Sequence, residues 1–488
     1  MKYVACDLGA ESGRVMLGTL NGGQLSLEEV HRFSNLTVLL DGSWRWDILR
    51  TFAELKAGLA KVAATGTRPA SLSVDSWGVD YVWSGLGQAM LAPAYCYRDA
   101  RTDSTFENAL AQVGREKIYA ETGIQFMALN TLYQLLADQK CHPGLIDHAD
   151  GFLCIADYLH FLFSGVRKAE ESLASTTQIY NPVARTWSGA LQSAFAFPPR
   201  IFPEIVPSGT RLGTLRPEIA AELGMDLSVV ATCSHDTGAA VAAVPARGAD
   251  DWAYLSSGTW SLLGVELDKP LISEEVRQAN YTNEGGYGGT TRFLKNLSGL
   301  WILQECRRAW ERQGIHLSYA ELNRLAEAEP PLRTLLDPTD DRFAKPGGMP
   351  ERVAEFARET GQPVPESPGA FTRAILESLA LVYRESLDDL EKLTGRTIRV
   401  LHIVGGGSQS SLLNQFAADA TGRTVEAGPV EATAIGNILI QAIVDGQVPD
   451  LAALRAIVRS SFPIQTFQPS GNPAWIEASS RLAALRAR

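Results

Sequence analysis

Asp7-Leu8-Gly9-Ala10-Glu11-Ser12-Gly13-Arg14 follows the apolar run Tyr3-Val4-Ala5-Cys6 and precedes a second, Val15-Met16-Leu17. Two short apolar runs separated by a small, polar, glycine-containing segment predict two strands joined by a tight turn. Gly9 and Gly13 are expected to leave main-chain N–H groups open to an anion, because no Cβ shields them. Asp7 stands at the mouth of the turn. A carboxylate is repelled by phosphate unless a cation lies between them, so Asp7 points to a hydrated Mg²⁺ bridging to nucleotide phosphates. Taken alone, the stretch reads equally well as an ordinary polar hairpin.

A weak echo downstream shifts that balance. Tyr254-Leu255-Ser256-Ser257-Gly258-Thr259-Trp260-Ser261-Leu262-Leu263-Gly264 again gives strand, small turn and strand, with Gly258 at the place of Gly9 and Gly264 at that of Gly18. Two related halves, each with a phosphate-binding hairpin, are what a nucleotide held by two similar domains requires. The small, polar stretch Pro245 to Asp251 precedes the second hairpin, which sets the expected domains at 1–245 and 246–488.

With 488 residues the chain has ample material for two cores. A net charge of -11 argues against a general nucleic-acid binder, which needs a basic footprint. The six cysteines lack CxxC spacing and read as buried thiols of a reducing compartment. No apolar run is long enough to cross a bilayer and no leader pattern opens the chain, so a soluble cytoplasmic protein without a membrane partner is expected.

Between the hairpins, Leu25 to Phe33 alternates as a strand, and Ile48 to Ala64 spaces Leu49, Phe52, Leu55 and Leu59 as one helical face. Ser71 to Asp75 reads as a strand that delivers Trp77, Gly78 and Asp80 at its end, where α/β proteins place ligands. Trp77 is open to two readings, core or sugar platform. Arg98, Asp99 and Arg101 suit a hydroxyl-rich ligand or a surface ion pair. Helices are expected at Asn130 to Gln139 and Phe152 to Phe163. In Val229 to Ala240 a strand breaks into Ser234-His235-Asp236-Thr237 and then a helix. Three consecutive residues cannot converge as a hydrolytic triad. Asp236 is therefore a candidate general base for a hydroxyl or, alternatively, a helix cap.

In the second half, Leu294 to Gln304 is expected to start a helix, Pro338 to Pro350 to be an exposed loop, and Phe371 to Leu393 to be a helix ended by Gly395. Val400 to Gln409, a strand running into Gly405-Gly406-Gly407, leads to a helix carrying Leu412, Leu413, Phe416 and Ala420. That is a plausible nucleotide turn. It is not GxGxxG at the start of a βαβ unit, which argues against a dinucleotide dehydrogenase.

The ordered set of Asp7 to Arg14, Tyr97 to Arg101, Ser234 to Gly238, Leu255 to Trp260, Val404 to Gln409 and Gly428 to Asn437 resembles the FGGY family of carbohydrate kinases. The resemblance spans residues 3 to about 445. It implies an α/β fold of two actin-like ATPase (ribonuclease H-like) domains with a catalytic cleft between them, closing on the sugar. The first would carry the sugar site, the first phosphate hairpin and the base, and the second the nucleotide site. His31 to Phe33, Asp75 to Asp80, Gly123 to Phe126, Asn130 to Leu135 and Asp340 to Phe343 narrow the likeness to members that phosphorylate L-rhamnulose at its 1-hydroxyl with ATP and Mg²⁺.

Carried over by position, the resemblance assigns Ala10, Glu11, Ser12, Gly13 and Arg14 to ATP phosphates, and Thr259, Gln304 and Gly406 to ATP. It assigns Gly78, His235, Thr237 and Asn296 to the ketose and makes Asp236 the proton acceptor. Many family members carry Lys where Gln134 stands, so this chain departs from the pattern there. A kinase for another ketose or polyol and a non-catalytic actin-like sugar sensor or filament protein are the alternatives. A monomer or small homo-oligomer is expected.

Overall fold

The computed structural model describes residues 1–85, 90–248 and 251–486; Ala249 and Asp250 of the expected linker lie outside the described residues. By contact the chain divides into two compact units. The first comprises Met1–Pro245, Glu266–Phe293 and Ala432–Ser461; the second comprises Ala246–Val265, Leu294–Glu431 and Phe462–Arg488. The expected halves were contiguous in sequence and the units are not, because two later segments pack back into the first.

In the first unit β1 (Lys2–Leu8), β2 (Ser12–Asn21) and β3 (Gln24–Ser34) form an antiparallel meander, followed by α1 (Ile48–Ala64) and β4 (Ser71–Asp75). Further on come α2 (Thr131–Cys141), α3 (Ile155–Ser164), β5 (Thr210–Thr214), β6 (Ser228–Ala231) and α4 (Asp236–Ala242). The sheet order is β5-β6-β4-β1-β2-β3, with β4 parallel to both β1 and β6. Val4, Cys6 and Leu8 of β1 share a buried cluster with Leu55, Leu59 and Val62 of α1.

Two sequence expectations change here and one open reading is decided. Leu49 is 62 % exposed, and the buried face of α1 is Ile48, Thr51, Leu55, Leu59 and Val62. Phe152 lies in the strand Ala149–Cys154, antiparallel to Tyr81–Gly85, and α3 starts only at Ile155. Trp77 is core, its ring 4.4 Å from that of Trp46.

The second unit repeats the plan with β7 (Trp252–Ser257), β8 (Trp260–Leu267), β9 (Thr291–Ser298), α5 (Trp301–Arg312), α6 (Pro368–Thr394), β10 (Val400–Val404), α7 (Ser411–Thr421) and β11 (Thr424–Ala427). After α8 (Ala432–Val444), which belongs to the first unit, comes β12 (Gln465–Phe467). Beyond an edge strand at Thr282–Gly285, the order β9-β8-β7-β10-β11-β12 again has an antiparallel hairpin (β7, β8), then a parallel strand, a parallel strand and an antiparallel edge. The register makes the echo concrete: Tyr3 faces Gly18, and Tyr254 faces Gly264.

Leu294 to Ser298 is strand, so the helix expected there begins at Trp301. The Pro338 to Pro350 loop is anchored rather than free, with Phe343 buried and its carbonyl accepting from the Trp301 indole. All six cysteines are free, and five are buried as expected; Cys141 is exposed at the end of α2. Among the described residues no helix is long and apolar enough to cross a membrane.

Candidate active site

In the first unit the sheet register gathers three carboxylates. Asp7 at the end of β1 is the partner of Asp75 at the end of β4 across a parallel pair, and of Arg14 on β2 across the hairpin. The Arg14 guanidinium binds Asp7 Oδ2. The strand direction of β6 is continued by a bridge between Ser76 and His235, with Ser76 N donating to Ser234 O at 2.9 Å and Asp236 N to Ser76 O at 2.8 Å. Asp236 therefore follows a strand that lies beside β4, at the carboxyl ends of the parallel strands β1, β4 and β6.

Asp236 is the first residue of α4, and the capping position is His235, whose side chain makes no cap bond. The N-cap position is thus His235, while the Asp236 carboxylate serves the first turn from within the helix. Its Oδ1 accepts from the Thr237 backbone N–H and from Thr237 Oγ1 at 3.1 Å, with His235 Nε2 3.4 Å away. Burial raises its pKa above the ordinary carboxylate range, opposed by His235 and the Thr237 N–H and reinforced by Asp7.

Asp75 is fully buried, with Asn437 Nδ2 donating to Oδ2 at 2.6 Å and no hydrogen bond to Oδ1. Burial, and then the neighbouring Asp7, hold its pKa well above the usual range.

The hairpin turn is pinned by Asn35, whose Nδ2 donates to Gly9 O at 2.9 Å and whose N–H donates to Glu11 O at 3.0 Å. Gly13 corrects the sequence reading of its role. A Cβ there would stand 2.2 Å from the Phe33 ring and 2.7 Å from Leu8, so its smallness answers packing rather than an open approach.

Gly78 is similarly crowded, with Thr176 2.8 Å from a Cβ position. The next residue, Val79, has φ 67°, a left-handed conformation that costs a β-branched residue strain. Three bonds hold it: Val79 N–H donates to Thr176 Oγ1 at 3.2 Å, and Val79 O accepts from Thr131 Oγ1 at 2.6 Å and Gln134 Nε2 at 3.3 Å. Gln134 also donates to Asp80 at 3.0 Å and accepts from Arg101, which in turn binds Asp138. Asp99 accepts from the N–H groups of Trp44 and Arg101. Asp80, Asp99 and Arg101 are thus occupied within the protein and are framework rather than sugar contacts.

His235 completes this side. Its Nδ1 lies 3.0 Å from Arg292 Nη2 and 3.4 Å from Glu284 Oε2. Sequence reasoning placed Asp75 in the polar cluster that ends a strand but gave Arg292, Glu284 and Asn437 no individual role; the available signal was charge within apolar surroundings, as in Arg292-Phe293-Leu294.

In the second unit the β7–β8 turn is pinned by the start of α5, where Leu300 N–H donates to Gly258 O at 3.0 Å and Trp301 N–H to Thr259 O at 3.2 Å. Gly299 lies against this turn, and a Cβ on it would sit 2.5 Å from Trp260 C and 2.7 Å from Thr259 O. Gln304, on the first turn of α5, has a buried Oε1 without a hydrogen-bond partner, an acceptor suited to a ligand donor. Gly405 has φ 84°, and a Cβ on Gly407 would stand 1.9 Å from Ser257 Oγ, while Gly406 between them is exposed and uncrowded. That turn continues as a short 3₁₀ segment, and the N-terminus of α7 is capped by the Ser410 side chain. Asn296 is half-buried on β9.

No group of three or more metal-ligating side chains is found among the described residues. Asp7 offers one carboxylate already paired with Arg14, which fits a hydrated Mg²⁺ brought by nucleotide phosphates and does not fit a resident metal centre.

Models of the FGGY family of carbohydrate kinases match residues 2–243 for the N-terminal domain and 253–444 for the C-terminal domain. A curated protein named Rhamnulokinase from Bacteroides thetaiotaomicron is 43 % identical over 474 residues, covering 97 % of this chain and 97 % of that protein. Another of the same name from Enterococcus faecalis is 43 % identical over 472 residues, covering 96 % and 94 %. Among solved structures, gluconate kinase from Lactobacillus acidophilus superposes with TM-score 0.81 at 16 % identity, covering 100 % of this chain and 96 % of that one. Plasmodium falciparum glycerol kinase with ADP gives TM-score 0.79 at 15 % identity, covering 100 % and 97 %. At those identities the structures establish the shared fold.

Proposed function

The chain belongs to the FGGY family of carbohydrate kinases, and from that premise we propose that it transfers the γ-phosphoryl group of ATP to the 1-hydroxyl of L-rhamnulose, giving L-rhamnulose 1-phosphate and ADP in L-rhamnose catabolism. The substrate is supported by the full-length likeness to proteins named Rhamnulokinase. The chemistry is supported above all by Asp236, whose carboxylate has its donors on Oδ1 and so keeps Oδ2 for a sugar hydroxyl.

Phosphoryl transfer asks the protein for alignment and charge neutralisation more than for covalent help. Asp236 orients the acceptor hydroxyl and takes its proton on Oδ2; its raised pKa makes it a better base than an exposed carboxylate. Gly78, His235, Thr237 and Asn296 hold the ketose. The segment Ala10, Glu11, Ser12, Gly13 and Arg14 holds the phosphates, and Thr259, Gln304 and Gly406 hold the rest of the nucleotide. Mg²⁺ bound with ATP neutralises charge on the phosphates, and Asp7 is the residue that would meet its water shell. We extend the proposal to functional halves at 1–245 and 246–488, a cytoplasmic location, and a monomer or small homo-oligomer.

A panel of ketoses and polyols in a coupled ADP-release assay tests the reading. L-rhamnulose is expected to be turned over fastest, with a hydroxymethyl analogue disfavoured by no more than about a hundredfold, since apolar pockets reject an added hydroxyl weakly. Faster turnover of glycerol, D-xylulose or L-ribulose would assign the chain to another substrate. ADP release indifferent to every added sugar would point to a sensor.

A further inference from the structure

We propose that Arg292, held by Glu284, fixes the imidazole of His235 as the tautomer with a bare Nδ1 and its proton on Nε2, so that His235 presents a hydrogen-bond donor beside Asp236. Only the role of that donor toward the ketose rests on the function proposed above.

The argument starts from what a guanidinium can do. Arginine has five N–H donors and no acceptor, so the 3.0 Å contact between Arg292 Nη2 and His235 Nδ1 is a hydrogen bond only if Nδ1 offers a lone pair. A proton on Nδ1 would set donor against donor. Glu284 Oε2, at 3.4 Å from Nδ1, is the one neighbouring group that could accept such a proton. That oxygen is ion-paired with Arg292 Nη1 at 3.1 Å, nearer than the imidazole, although the two make no hydrogen bond. A neutral imidazole bare at Nδ1 carries its hydrogen on Nε2, the nitrogen 3.4 Å from Asp236 Oδ1.

Arg292 is placed well for this task. Its side chain is completely buried, the largest such side chain in the described protein, and Nε is tied to Gly285 O at 2.9 Å. Glu284 is buried as well. A buried guanidinium persists only when its charge is met, and here Glu284 meets the charge while Nε and Nη2 are hydrogen-bonded to Gly285 O and His235 Nδ1. The backbone of His235 is fixed independently, by its N–H donating to Ser172 Oγ at 3.0 Å. The charged or titratable groups around the ring are therefore Arg292 and Glu284 on one edge and Asp236 on the other. With the proton on Nε2, His235 can stabilise the Asp236 carboxylate or donate to a sugar oxygen, and it cannot accept from a sugar hydroxyl at that nitrogen.

Histidine-selective ¹⁵N labelling and long-range ¹H–¹⁵N spectra of the ligand-free full chain read this directly, with His235 identified by the signals lost in His235→Gln. The wild type is expected to show a protonated Nε2 and a bare Nδ1. In Arg292→Met/Glu284→Gln, which removes both buried charges together, that preference should give way to a mixture. The same variant should raise KM for L-rhamnulose about ten- to a hundredfold, the loss for one misdirected hydrogen bond, with KM for ATP nearly unchanged. Arg292→Lys, which keeps a charged donor, should retain most of the Nε2–H form and decides the matter if the double variant does not fold. An Nδ1–H wild type would overturn the proposal. So would a folded double variant that keeps the wild-type tautomer. If the tautomer responds as described while no ketose is phosphorylated, this inference stands and the proposed function falls.

Discussion

Asp7 and Asp75 are register partners across two parallel strands, two carboxyl groups side by side at the ends of β1 and β4. The pair is asymmetric. Asp7 is met by Arg14, whereas Asp75 is completely buried and receives only the amide of Asn437. Burial, and then the neighbouring Asp7, hold the Asp75 carboxyl well above the usual carboxylate range. Asp75→Asn, which imitates the protonated group and can still accept from Asn437, should therefore leave turnover within about threefold and the melting temperature unlowered. Turnover and thermal melts near neutral pH check this. A hundredfold loss of kcat in a folded variant would mean that Asp75 works as an anion.

Asp236→Asn separates catalysis from capping. Asp236 is the first helical residue and its Oδ1 accepts the Thr237 N–H, a bond that Asn can keep, so the variant should lose only the helix-dipole contribution of one charge, about 0.3–1 kcal/mol. It cannot accept a proton, and kcat should fall by roughly a hundred- to ten-thousandfold, with both KM values within a few-fold. Near-normal turnover would remove Asp236 from the mechanism.

Thr131→Val keeps the shape of the side chain that supports Val79 and removes its hydroxyl donor, leaving the strained carbonyl to Gln134 alone. The expected cost is about 1–3 kcal/mol in urea unfolding, accompanied by a higher KM for the ketose and an unchanged KM for ATP. Equal damage to both KM values would argue against a role confined to the turn that carries Gly78.

Gly299→Ala forces a methyl group against the backbone of the Gly258–Trp260 turn. Overpacking of this kind costs about 1–3 kcal/mol and displaces the turn. KM for ATP should rise while that for the ketose holds. Thr259→Val should reproduce the nucleotide defect without the loss of stability, a difference readable by combining thermal melts with ATP titrations.

Asp80 predicts a pH dependence. Two indoles and the Tyr97 N–H donate to its Oδ2 and Gln134 to its Oδ1, yet burial still pushes its pKa up to about 6. The folded protein thus retains a proton that the unfolded chain, with a carboxyl pKa of about 3.9, has already released. The stability from this group is present below about pH 4 and is lost as pH rises through about 6, up to roughly 3 kcal/mol in all. Relative to wild type, Asp80→Asn should gain stability across that interval in urea unfolding followed by tryptophan fluorescence. A difference independent of pH would contradict the assignment.

How much of this was legible in sequence depended on range. The hairpins and α1 follow from local periodicity, and the Tyr3–Gly18 and Tyr254–Gly264 register agrees with the repeat read from the matching glycine positions of the two stretches. The exposure of Leu49 was not legible, because a helical stripe fixes a face only to within one neighbouring position. Phe152 and Leu294 were read as helical because a short apolar run is ambiguous; their strand pairing is set by partners distant in sequence. For the same reason the proposed base could be picked out next to a strand, while Arg292, Glu284 and Asn437 could not: Glu284 and Arg292 stand 49 and 57 residues from His235, and Asn437 stands 362 residues from Asp75.

The return of α8 to the first unit bears on how the polypeptide is made. Gln441 donates to Val4 O at 2.9 Å, Asn437 donates to Asp75, and the Gly436 position admits no Cβ because Ala239 O would lie 1.9 Å from it. These contacts join residues more than 190 positions apart, so loop closure over nearly the whole chain precedes completion of the unit built around the N-terminal strands. A ribosome that has released only residues 1–245 has produced a sheet with its covering helix still unsynthesised, exposing apolar surface that chaperones would have to shield. The same gene cut at residue 245 and expressed as two pieces would need the second piece in trans before the first could reach its native state.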